Sequence, residues 1–179
     1  MAAYADAEGF SAVSVEEHHC AENGWLPSPL TLAGMIIART ERVAVNVAAL
    51  LVTLYDPIRL AEDIAVLDLA SAGRFSFVAG LGYRPIEYHA LDKDWETRGR
   101  RMDHVIETLL EAWKGEPFEY HGRTIRVTPV PFSKPHPPFA IGGMSKAAAR
   151  RAARDRKSVV EGKSVGVGGR RGGVWGGGG

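Results

Sequence analysis

Along residues 9–113, short β-prone runs alternate with stretches of helical periodicity, and this alternation constrains the fold more than any other feature. Residues 9–15 (Gly-Phe-Ser-Ala-Val-Ser-Val) alternate apolar and small polar side chains, then stop at Glu16-Glu17-His18-His19-Cys20, as a strand running into a loop does. Residues 30–39 suit a buried helix, with Ser28 placed to cap it and Pro29 in its first turn. Residues 42–52 are β-branched and almost continuously apolar, the signature of a strand covered on both faces of a parallel sheet. Asp56-Pro57 opens the next helix, whose apolar face is Ile58, Ala61, Ile64, Ala65, Leu67 and Leu69 and whose terminator is Gly73. A third strand is predicted over 74–79. A third helix follows within 95–113, where Met102, Val105, Ile106, Leu109, Leu110 and Trp113 recur at helical spacing.

The order β-α-β-α-β-α argues for an α/β fold with a parallel sheet and right-handed crossovers. Periodicity alone leaves two architectures open, a closed (β/α) barrel and an open doubly wound sheet. Residues 118–127 read as a hairpin around His121-Gly122, and 139–143 as a further strand ending in a glycine turn. Ser145 can cap a helix that begins at Lys146 and breaks off near Arg154.

Composition narrows the function. At 179 residues with 45% apolar content the chain can bury one sizeable core. A formal charge of +1 gives no general reason to expect nucleic acid or an acidic membrane as partner. The single Cys20 cannot form an internal disulfide, which fits a reducing cytoplasm, and no run approaches the roughly 20 apolar residues needed to span a bilayer. The first residues carry acids and lack a basic segment, so they do not read as a signal peptide.

Residues 155–179 change character: they hold ten glycines and one aromatic, Trp175, with no apolar periodicity to bury. The segment is expected to carry no fold. It resembles, with mismatches, the conceptual translation of a sequencing adapter, which would make it non-native and leave residues 1–154 as an incomplete domain on which function is judged. Eight Lys/Arg against two acids between Arg150 and Arg171 leave open a basic, nucleic-acid-binding tail on a non-catalytic fragment.

Taken together, Gly9-Phe10, Glu17-His18-His19, the run 47–63 (Val-Ala-Ala-Leu-Leu-Val-Thr-Leu-Tyr-Asp-Pro-Ile-Arg-Leu-Ala-Glu-Asp), Leu67-Asp68 and Gly73-Arg74-Phe75 resemble the bacterial luciferase-like monooxygenase superfamily over residues 9–154. The resemblance implies a partial TIM (β/α)8 barrel, strands two to five with their helices. It implies an oxidoreductase working at the C-terminal mouth of those strands on a small organic substrate. The cofactor would be reduced FMN from a partner flavin reductase, used with oxygen, or a deazaflavin for hydride transfer. It also implies a homo-oligomer for the full-length parent. Four strands cannot close a barrel, so the chain alone is expected to bind flavin poorly.

The resemblance assigns candidate residues. His18, just past a strand end, matches the family's active-site histidine and would exchange protons or position flavin or substrate. Glu17 matches a position near the flavin ring; His19 is a lesser candidate. Ala48-Ala49 matches a strand bulge, often with a non-prolyl cis peptide, that supports the isoalloxazine. Gly142, Gly143 and Ser145 match a turn that receives the flavin phosphate at a helix N-terminus. Arg101 matches an arginine that adds a phosphate contact in some members, and Arg84 is a weaker candidate. After Phe77 the chain reads Val-Ala-Gly-Leu-Gly-Tyr, where luciferases proper carry a reactive cysteine and a phosphate-binding arginine, so light emission is not expected. No metal site is expected. Glu17, His18, His19 and Cys20 are all of ligating types, which keeps a barrel hydrolase or metal enzyme as the alternative, but four adjacent residues cannot converge on one ion.

Overall fold

A computed structural model of the chain describes residues 1–143 and the backbone of 159–160. In chain order the elements are α1 (Ala2–Ala7), β1 (Ala12–Val15), α2 (Pro29–Ile37), β2 (Ala44–Leu50), a 3-10 turn (Val52–Leu54), α3 (Pro57–Ala70), β3 (Phe75–Ala79), α4 (Pro85–Ala90), α5 (Arg98–Ala112), β4 (Phe118–Tyr120), β5 (Arg123–Ile125), β6 (Phe139–Gly142) and β7 (Val159–Val160). The strands β1-β2-β3-β6-β7 form one sheet in that order, all pairs parallel. The first four are the parallel strands expected of a barrel wall, and β4 with β5 is the expected antiparallel hairpin, pairing Tyr120 with Arg123.

The core lies between this sheet and helices α2, α3 and α5, with Val45, Val47, Phe75, Phe77 and Ile141 from the strands meeting Ala33, Leu60, Ile64, Met102, Val105 and Leu109. Trp113 is buried against Phe77 and Phe139, and its indole N–H donates to Ala61 O at 3.0 Å. A buried indole thereby keeps its one donor satisfied. Among the described residues no helix is long and apolar enough to cross a membrane.

Helix α3 begins as its residues dictate. Asp56 Oδ1 accepts from the Ile58 and Arg59 amides at 3.0 and 3.1 Å, and Pro57 occupies the first helical position. It ends where Ala72 (φ 51°) and Gly73 (φ 83°) turn left-handed. Two motif residues next to this turn fasten the N-terminal end of the sheet. Asp68, fully buried, accepts from Ser133 N at 2.7 Å and Ser133 Oγ at 2.8 Å. Arg74 donates to Ser71 O, Val43 O, Thr40 O and Thr40 Oγ1, joining the ends of α2 and α3 to the start of β2. Both are structural staples on the face opposite the strand C-termini.

Several expectations are corrected. Ser28 stands at the N-cap of α2 but its hydroxyl makes no cap bond. The strand predicted over 42–52 ends at Leu50, because its register against β3 shifts between Ala48 and Leu50 and the apolar run continues as the buried 3-10 turn. Helices α1 and α4, six residues each, are too short to show as periodic segments. The helix expected after Ser145 lies outside the described residues, as does most of 155–179. Within that last segment only Val159–Val160 are described, and they pair with Ile141 and Gly142; β-branched residues suit the open edge of β6.

Candidate active site

The C-terminal ends of β1, β2, β3 and β6 face one side of the sheet, where barrel enzymes gather their chemistry. The chain leaving β1 delivers Glu17, His18 and His19. The end of β2 delivers Ala48 and Ala49, that of β3 the run Gly80 to Arg84, and that of β6 Gly142.

Glu17, Glu87 and the two histidines form two interleaved carboxylate–imidazole pairs. His18 Nδ1 lies 2.9 Å from Glu87 Oε1, and His19 Nε2 lies 2.9 Å from Glu17 Oε1. Glu17 is 2% exposed, and both its oxygens accept bonds from the chain: Oε1 also takes the Tyr55 hydroxyl at 2.6 Å, and Oε2 the Leu51 amide at 2.6 Å. Burial, then the neighbouring Glu17 charge, raise the Tyr55 phenol above its ordinary range, so it stays a donor. Glu17 thus clamps the backbone just past the β2 bulge.

The bulge itself carries a cis Ala48–Ala49 peptide, the conformation the family resemblance implied. Opposite it, Gly80 N donates to Leu50 O at 2.8 Å, and a Cβ on Gly80 would stand 2.8 Å from Ala49 Cβ. At Gly142 a Cβ would meet Val78 Cγ1 at 3.1 Å and Ala79 O at 3.2 Å. Ala48, Ala49, Gly80 and Gly142 thus put small residues at three adjacent strand ends, a closely packed wall bordered by the side chains of Leu51 and Val78.

His18 has two aromatic neighbours. Its ring is 4.3 Å from that of Trp25 and 5.4 Å, edge-on, from that of Tyr83, whose hydroxyl lies 3.4 Å from Nε2. A cavity of about 280 Å³ adjoins the other pair, lined by His19, Tyr55, Pro27, Leu30, Leu54 and Leu91 among others. Among the described residues no three His, Cys, Asp or Glu side chains are grouped to hold a metal ion.

The remaining candidates separate. Arg101 donates from Nε to Thr53 O (2.6 Å) and from Nη2 to Tyr55 O (2.9 Å), fastening the 3-10 turn. Arg84 donates to His19 O and to Glu87 Oε1. Gly142 and Gly143 stand at the end of β6, with Gly143 at φ 145°; Ser145 lies outside the described residues. Sequence reasoning missed Glu87, Tyr55 and Trp25. Tyr55 belongs to the motif run 47–63, whereas nothing local marks Glu87, which lies 69 residues from its histidine.

Comparison with known proteins places these features in a family. The family model described as luciferase-like monooxygenase matches residues 1–160. The protein y4wF of Sinorhizobium fredii is 32% identical over 167 residues, covering 89% of this chain and 48% of its own length. The FMNH(2)-dependent dimethylsulfone monooxygenase of Pseudomonas putida is 30% identical over 133 residues, covering 70% of this chain and 36% of that protein. Among solved structures, monooxygenase RslO1 of Streptomyces bottropensis superposes with a TM-score of 0.79 at 30% identity over 88% of this chain and 50% of that one. The chain spans about half the length, or less, of the curated relatives it matches.

Proposed function

Because the chain belongs to the luciferase-like monooxygenase family, we propose that its parent protein is an FMN-dependent monooxygenase acting on a small organic substrate. The observation that carries the reading is that the small residues Ala48, Ala49, Gly80 and Gly142 and a largely buried histidine bonded to a buried carboxylate all follow the C-terminal ends of the same parallel strands. The similar dimethylsulfone monooxygenase favours reduced FMN over a deazaflavin.

Bound reduced FMN supplies the electrons that activate dioxygen; the protein supplies placement, shielding and proton handling. Ala48 and Ala49 would support the flat ring, and Gly142, Gly143 and Ser145 would take the phosphate at the turn after β6. Glu17 holds the bulge in place through Leu51 N, and Arg101 anchors the turn behind it. His18 would accept a proton at Nε2, the nitrogen turned away from Glu87, and return it there. We assign supply of reduced FMN to a separate flavin reductase, and a homo-oligomeric state to the whole protein.

The test is oxygen consumption by the whole protein with NAD(P)H and a flavin reductase, with FMN or a deazaflavin as the added coenzyme. FMN-dependent oxygen uptake that falls at least tenfold in His18→Ala is expected. Turnover with the deazaflavin and none with FMN would overturn the cofactor assignment.

A further inference from the structure

The carboxylates of this chain are not all used alike. Asp68 and Glu17 are buried, and each has both oxygens bonded. This is how a purely structural buried carboxylate is satisfied. Glu87 departs from that pattern. Although fully buried, it gathers His18 Nδ1 (2.9 Å), the His19 amide (3.0 Å) and Arg84 Nη1 (3.2 Å) on Oε1 alone, while Oε2 is buried with no hydrogen-bond partner.

We infer that Glu87 is the positioning residue for His18, selecting the tautomer in which Nδ1 carries the proton and Nε2 is bare. The inference rests on the role given to His18 above. A carboxylate accepts only, so its partner Nδ1 must donate. That leaves the Nε2 lone pair facing the Tyr83 hydroxyl, a donor on an exposed side chain at 3.4 Å. The His19 amide on the same oxygen fixes the carboxylate against the segment that carries His18, and Arg84 ties the end of that segment to α4 through His19 O. Stacking on Trp25 holds the ring plane. When Nε2 takes a proton, the imidazolium already has its counter-charge in hydrogen-bond contact, and no side chain needs to move. A carboxylate behind a histidine sets tautomer and orientation in just this manner in other acid–base sites.

The test needs no cofactor: the 179-residue chain is labelled with 15N in its histidine rings, and the shifts of the His18 nitrogens are assigned by their loss in His18→Gln. A bare Nε2 and a protonated Nδ1 are expected above the titration of the ring. In Glu87→Leu, which keeps most of the volume but removes both acceptor oxygens, the Nδ1–H form should lose its dominance, and Tyr83→Phe should leave it in place. Finding the proton on Nε2 in the unaltered chain overturns the inference whatever the variants do, as does an unchanged tautomer in folded Glu87→Leu. Should the tautomer result stand while His18→Ala keeps full oxygen uptake in the whole protein, the role of His18 fails and the positioning by Glu87 survives.

Discussion

Replacing Glu17 by Gln tests whether the buried carboxylate is the clamp that holds the β2 bulge. The substitution keeps the volume but removes the charge and one of two acceptor oxygens. The native carboxylate accepts from Leu51 N, Tyr55 Oη and His19 Nε2. If the amide oxygen keeps the Leu51 bond, the amide nitrogen faces the tyrosine and histidine, and at least one buried donor loses its acceptor. A hydrogen bond to a charged group contributes about 1.5–3 kcal/mol. Relief from burying the charge offsets part of that loss. A net cost of about 2 kcal/mol, roughly 30-fold in the folding equilibrium, is expected. Urea unfolding reads it as a midpoint lowered by about 1 M at unchanged slope, for a slope near 2 kcal/mol/M.

A second readout belongs to Tyr55, whose phenol is raised above its ordinary 10.0 first by burial and then by the Glu17 charge. A raised folded value means that the neutral phenol contributes stability that is present below about pH 10 and is lost as pH climbs toward the folded value. In Glu17→Gln the charge contribution vanishes while burial remains, so Tyr55 should ionise at lower pH than in the unaltered chain but still above an exposed tyrosine. Ultraviolet titration follows this directly. An unchanged urea midpoint together with an unchanged tyrosine titration would refute the clamp.

Gly80→Ala puts a methyl 2.8 Å from Ala49 Cβ, a contact that forces β2 and β3 apart, so a loss of about 1–3 kcal/mol in urea unfolding is expected, and full stability would show that the wall is not closely packed. Asp68→Ala leaves Ser133 N and Oγ without their acceptor and should cost about 2–3 kcal/mol while exposing the 128–138 connection to limited proteolysis; equal cleavage rates in both proteins would contradict this. The Asp6 carboxyl is held below its usual 3.8 mainly by the Glu41 and Val43 amides, so its contribution is present above that value and fades as pH falls through the lowered one. Asp6→Asn should therefore be less stable near neutrality and converge with the unaltered chain in acid, as compared by unfolding at several pH values.

Much of the fold was legible because the signals were long and mutually consistent. The apolar face of α3, its Asp56 cap and its Gly73 stop all point to one helix; the cap, the stop and the burial of Ala61, Ile64, Ala65 and Leu67 stand, while Leu69 is exposed and Leu60 fills the core in its place. Reading failed where local pattern and tertiary geometry part. Val52 and Thr53 are strand-formers by type, yet the bulge at Ala48–Leu50 turns the chain away from the sheet before it reaches them, and the same side chains are buried in a 3-10 turn instead. Helix α4 has only six residues, too few for a 3.6-residue period to repeat.

The site divides along the same line. A side chain's position past a strand end is local, so Glu17, His18 and the two alanines could be found from the order of motifs. What each does depends on its partners, and partners are long-range. Glu17 and Glu87 are both buried carboxylates bonded to a histidine, but one is satisfied on both oxygens and the other on one. In the sequence Glu87 is an ordinary acid in the first turn of a short helix behind Pro85. Only when α4 folds back over the end of β1 does it meet His18 and acquire a function to test. A motif-based reading therefore finds the histidine and misses the residue that decides which of its nitrogens can accept a proton.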